Sequence, residues 1–111
     1  MKTYPMRLHP EPFERIRSGQ KTDELRLNDP KRQQIQVGDR IEFSRRPECT
    51  EKLLAEVSYL KHYPTFAEMY DGVKDRYPEA SRDSFVAGMH QYYPPEEEAE
   101  FGTVEIGLRV V

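Results

Sequence analysis

The chain carries a single cysteine, Cys49, so no disulfide can form within it and no cluster of thiolates can hold a metal. Histidine is scarce as well. His9, His62 and His90 stand far apart, without the i,i+4 spacing of a helical metal site, and neither a metal nor an organic cofactor is expected. No apolar run approaches the length that spans a membrane, and no charged-then-apolar signal pattern opens the sequence. The expectation is a cytoplasmic protein that makes no membrane contact. Internal repeats, linkers and low-complexity segments are missing too, apart from a short acid run at residues 96–98.

What is present suits one small domain over residues 1–111, long enough to bury about two thirds of its unfolded surface. Hydrophobic residues make up only 36% and mean hydropathy is -0.90, which calls for a compact core under a charged surface. Seven Tyr and five Phe supply large apolar bodies for that core, and the apolar residues are periodic, as in a folded chain. A net charge of -3 argues against a surface coated in positive charge for nucleic acid. The distribution is uneven, however. Residues 1–46 hold 11 basic and 7 acidic residues, net +4, and the remainder 6 basic and 13 acidic, net -7. A basic N-terminal half can steer an anionic ligand such as RNA or a phosphate, although ordinary solvated charge gives the same count.

Residues 3–8 read as a strand with Tyr4, Met6 and Leu8 on one face; Pro5, which cannot donate to a ladder, makes it either an edge or a strand paired only beyond that point. His9-Pro10 turns the chain into a short helix that shares Phe13 and Ile16 on its inner face and ends near Ser18-Gly19. One helical turn is expected at 31–34, and Val37-Gly38-Asp39 turns into a strand at 40–44. A polar hairpin loop over 45–51 leads to a partner strand at 52–62. Leu53, Ala55, Val57 and Tyr59 share one face of it and Leu54 and Leu60 the other, so this strand is expected to be central. Thr65-Phe66-Ala67-Glu68 fits a capping box ahead of a helix with Phe66, Met69, Tyr70 and Val73 at helical spacing. Ser81 caps a second helix whose stripe is Phe85, Val86, Met89, Tyr92 and Tyr93, stopped by Pro94-Pro95. After the acidic segment and Gly102, Val104, Ile106, Leu108 and Val110 alternate as a last strand. Five strands with so few helices between them do not suit a doubly wound parallel sheet. The fold class expected is α+β, a small curved sheet or barrel flanked by helices.

The densest chemistry lies in residues 19–29. From Thr22 the segment reads as a strand in which Leu25 and Leu27 face a core, while Thr22, Glu24, Arg26 and Asn28 share the other side. Lys21 and Asp23 fall on the leucine side of the alternation but at the strand entrance, where burial is not required. Gly19 frees the backbone to turn out of the preceding helix.

These residues resemble a known family. Gly19-x-Lys21-x-x-Glu24-x-Arg26 matches the G-x-K-x-x-E-x-R signature of the ASCH domain, a branch of the PUA-like superfamily. Pro12-Phe13-x-x-Ile16, Val37-Gly38-Asp39, His62-Tyr63-Pro64-x-Phe66, Met89 with Tyr92-Tyr93, and Phe101-Gly102 look like the family's surroundings, so the resemblance spans nearly the whole chain. It implies a PUA-like β-barrel of five to six strands with flanking helices, a cleft edged by the signature, and a role in binding RNA or a nucleotide-like ligand. Some small relatives resemble hydrolases that remove the acetyl group of N4-acetylcytidine with a Lys, a Thr and a Glu. Glu24 stands where those enzymes place the threonine. Thr22 is on the same strand face two residues earlier, and the third residue has only Glu68 and Glu79 as guesses.

The functional reading is therefore an RNA- or nucleotide-binding domain with a polar cleft centred on Lys21, Glu24 and Arg26. Arg26 would serve as a fork-shaped donor to phosphate or a base edge, Lys21 as a point charge, and Glu24 as an acceptor. The plainer alternative is an ion pair that only fixes the barrel edge, and such an exposed pair contributes about 0–1 kcal/mol. Thr22, Asn28, His9, His62 and Tyr92 complete the expected ligand-binding set. The histidines also read as turn residues, and Tyr92 and Tyr93 as core packing. The alternative from another class is a small amidohydrolase acting on a modified nucleoside, with Lys21 and Glu24 as its catalytic candidates. A protein-interaction module using the acidic C-terminal half is the third.

Overall fold

Proline places the first strand. β1 (Thr3–Leu8) contains Pro5, which has no N–H for a ladder, and β1 lies at a sheet edge. The computed structural model describes all residues, Met1–Val111. After β1 come α1 (Pro10–Arg17), β2 (Asp23–Leu27), α2 (Pro30–Gln33), β3 (Arg40–Arg45), β4 (Lys52–Tyr63) and α3 (Phe66–Val73). A 3-10 turn at Lys74–Arg76 then precedes α4 (Arg82–His90), α5 (Pro95–Phe101) and β5 (Thr103–Val110). The sheet order is β1-β3-β4-β5-β2, so β4 is central as its two-sided apolar pattern predicts. Five strands with segregated helices make the α+β, PUA-like architecture expected from the sequence, at the lower of the two strand numbers.

The register follows the apolar pattern. β1 runs parallel to β3, with Met6 opposite Phe43, and β3 runs antiparallel to β4, with Phe43 opposite Leu53. All three side chains are buried. A parallel neighbour needs a long crossover, which α1, β2 and α2 supply; the antiparallel neighbour needs only the hairpin loop after β3.

Contacts along the chain fall into two compact units. The first comprises Met1–Glu24, Ile35–Leu60 and Ile106–Val111. Its buried side chains include Met6, Leu8, Phe13, Ile16, Ile41, Phe43, Val57 and Ile106. Within it the Asp39 carboxylate accepts from the backbone N–H groups of Lys2 and Gln36, at 3.0 and 2.9 Å. Those two donors hold Asp39 below its ordinary pKa and fasten the start of β1 to the turn before β3. The second unit comprises Leu25–Gln34 and Lys61–Glu105. Its core is Leu25, Phe66, Met69 and Val73, with Tyr63, Tyr77, Phe85, Val86, Met89 and Tyr93 packed against them. Thr65 caps α3 by accepting from the Glu68 N–H, and Ser81 forms a reciprocal capping box with Ser84.

Four expectations need correction. β2 begins at Asp23 rather than Thr22, and Asp23 is buried rather than open at a strand entrance. α4 ends at His90, so Tyr92 lies outside the helix and is 68% exposed, whereas Tyr93 stacks on Phe66 with ring centroids 5.7 Å apart. Tyr59 is exposed, its ring laid over Gly107, instead of continuing the buried face of β4. Val110 is also exposed, although Val104, Ile106 and Leu108 are buried as their alternation predicts.

Candidate functional site

The turn out of α1 sets the position of Lys21. Gly19 takes φ 82°, the left-handed conformation in which a side chain is unfavourable, and its N–H returns to the Ile16 carbonyl. The Lys21 N–H reaches back to the Arg15 carbonyl at 2.9 Å, which pins this residue against the last turn of the helix. One residue later the Thr22 carbonyl accepts from the Leu108 N–H on β5. Lys21 is thus fixed by backbone on both sides before β2 begins.

Its ammonium sits between two carboxylates. Lys21 Nζ is 3.5 Å from Asp23 Oδ1 and 3.6 Å from Glu24 Oε1. The three side chains are only 12%, 3% and 9% exposed. Formally the cluster has one positive and two negative charges. Contacts this long are ion pairs rather than tight hydrogen bonds, and an ammonium has three donors to direct. Taking three charges out of water is expensive, and such groups are a poor stability device compared with apolar side chains of the same volume. The arrangement offers acceptors beside a donor in a desolvated setting, which suits recognition of a polar edge.

The remaining predicted residues are dispersed. Thr22 is exposed at the approach to β2. Arg26 lies half-buried on β2, two residues beyond Glu24 on the same side of the alternation. Asn28 is half-buried just after the strand; its N–H donates to the Gly102 carbonyl, and its side-chain Oδ1 is enclosed without a hydrogen-bond partner. His9 is the exposed residue that precedes α1, and lines a cavity whose walls include neither Lys21 nor Glu24. His62 is exposed on β4. Tyr92 is exposed, and Glu68 and Glu79 are exposed as well.

Sequence reasoning missed the burial of Asp23, Glu98 and Glu105, as it did that of Asp39. Asp23 falls on the core-facing leucine side of the alternation but was read as an open strand-entrance residue. Glu105 looked like a solvent-facing residue of β5, yet it accepts from the Tyr63 hydroxyl at 2.9 Å and from Arg76 at 2.6 Å. Glu98 looked like one member of an acid run, yet it accepts from the Phe66 N–H at the start of α3 and pairs with His90 Nε2 at 2.7 Å. No sequence signal marked Glu98 among its acidic neighbours.

The family model of the ASCH domain matches residues 6–110, nearly the whole chain. The chain belongs to the ASCH domain family. Among solved structures, the crystal structure of the hypothetical protein PH0355 is similar at 34% identity and a TM-score of 0.83, with 100% of each chain covered. The solution NMR structure of protein PF0455 from Pyrococcus furiosus is similar at 29% identity and a TM-score of 0.75, covering 98% of this chain and 97% of that one. No curated protein matches. No helix of this ASCH domain is long and apolar enough to cross a membrane.

Proposed function

We propose that residues 1–111 act as a single ASCH domain that binds RNA or a nucleotide, with Lys21, Asp23 and Glu24 as the base-reading group and Arg26 as an added donor. The observation that carries this reading is the desolvated lysine between two carboxylates. A base that places amino donors beside a carbonyl acceptor, as cytosine and guanine do, is complementary to that group, and bases in single strands are free to present such an edge. The amino group donates to Glu24, Asp23 holds the ammonium from its other side, and Lys21 donates to the carbonyl. Arg26 contributes the planar fork that suits a phosphate or a second acceptor.

The test is fluorescence anisotropy with a short single-stranded RNA, on variants shown by circular dichroism to be folded. Hydrogen bonds to charged groups contribute about 1.5–3 kcal/mol, so Glu24→Gln weakens binding roughly tenfold or more. Arg26→Ala weakens binding and flattens its dependence on salt. Unchanged affinity in both variants overturns the reading. Release of cytidine from N4-acetylcytidine that vanishes in Lys21→Ala and Glu24→Ala replaces it with the amidohydrolase. Glu24 in place of a threonine nucleophile weighs against that outcome.

A further inference from the structure

An open polar recess lies within the first unit. It forms where β1 hands the chain to α1 and β3 hands it to the hairpin loop, and has a volume of about 330 Å³. That is the small end of the range typical of ligand pockets, about 300–1,000 Å³. Its walls are Arg7, His9, Pro10, Arg46, Pro47 and Cys49. The backbone fixes this junction: Leu8 is paired with Arg45 across the parallel strands, the Arg46 N–H donates to the Leu8 carbonyl at 2.8 Å, and the Cys49 N–H donates to the Arg45 carbonyl at 2.8 Å.

The charge of the cavity differs from that of its surroundings. Nearby, Arg17 is paired with Glu14 and Glu51, and Arg45 with the same two carboxylates. Arg7 and Arg46 carry no such carboxylate partner, and no acid lines the cavity; Glu11 and Glu48 are close in sequence but are not among its walls. Two guanidiniums without a carboxylate partner and an imidazole therefore share these walls with two prolines. Guanidinium forks match the oxygens of a phosphate, and Arg7 and Arg46 are both exposed to meet one.

We infer that this cavity is a phosphate-binding site, held by Arg7 and Arg46. On the RNA-binding reading above, on which this extension to RNA rests, it takes a backbone phosphate of the bound strand. The phosphate chemistry itself does not depend on the Lys21 cluster.

Cys49 is the only cysteine, is half-buried in the cavity wall, and serves as a local reporter. The rate of its alkylation by iodoacetamide is measured on the full chain, at fixed pH and at ionic strength held constant with chloride. The probes are inorganic phosphate, cytidine 5′-monophosphate and a single-stranded RNA oligonucleotide. At ten times Kd, mass action predicts a roughly tenfold slower reaction for any probe that occupies the cavity. The protection saturates in the wild-type protein and is lost in folded Arg7→Ala/Arg46→Ala. Protection by RNA at far lower concentration than by phosphate identifies a strand phosphate; protection by phosphate and the mononucleotide alone identifies a free phosphate monoester. Either supports the site. Alkylation unaffected by all three probes, or protection that persists in the double variant, overturns it. Binding of RNA that depends on Lys21, with Cys49 left unprotected by all three probes, refutes the cavity alone, whereas protection by phosphate without any effect of Glu24→Gln on RNA refutes the base-reading group alone.

Discussion

At the scale of single residues, buried charge in this protein comes in small satisfied groups, and each makes a neighbouring position sensitive. Gly72 is near the end of α3, where alanine's helix propensity would favour substitution by up to about 1 kcal/mol. A Cβ there meets the Tyr63 hydroxyl, the group that donates to buried Glu105. Displacing that donor strips a carboxylate of a partner, which costs about 1–3 kcal/mol. The loss exceeds the gain. Gly72→Ala is expected to lower the urea midpoint, and the same change in a Tyr63→Phe background to lower it less. An equal drop in both backgrounds would disconnect Gly72 from the Glu105 group. The Lys21 group sets one ammonium between two buried carboxylates, at 3.5 and 3.6 Å.

Among elements, the connections matter as much as the strands. The turn before β3 is tied to the start of β1 by Asp39, whose carboxylate is held in its charged form by two backbone N–H donors. A carboxylate whose pKa is depressed on folding adds stability above its unfolded pKa of about 3.9, and the gain fades as pH falls through the lower folded value. Asp39→Asn is therefore expected to destabilise the protein most above pH 5, with the difference from wild type shrinking below about pH 4. Urea unfolding at several pH values measures this; a constant difference would remove Asp39 from the acid limb. This tie was not legible in the sequence, which shows Asp39 only as a turn residue. Helix starts were legible, since Thr65 and Ser81 cap with side chains three residues from their partners. The end of α4 was not, because Tyr92 continues the apolar spacing beyond the point where the backbone leaves the helix.

Across the whole molecule, β2, β4 and β5 each contribute residues to both compact units. The single-domain proposal predicts one cooperative transition, with far-UV circular dichroism and tyrosine fluorescence coinciding. Two separated transitions would contradict it. Strand number and the order of elements followed from alternation that Leu53, Ile106 and Leu108 obey, and the edge role of β1 was one of the two readings Pro5 allowed. The signature residues marked β2 as the place to look, yet alternation alone set Asp23 apart from Glu24, and only the turn fixed by Gly19 brings both to one ammonium.

The central claim is that this group reads an amino-bearing base. Cytosine and uracil differ at the position where cytosine carries an amino donor, so the most direct measurement compares the affinity of oligocytidine and oligouridine for wild type and Glu24→Gln at fixed salt. The account predicts that oligocytidine binds roughly tenfold more tightly to the wild-type protein, and that the preference collapses in the variant. Equal affinity for the two strands in the wild-type protein, or a preference that survives Glu24→Gln unchanged, would contradict it.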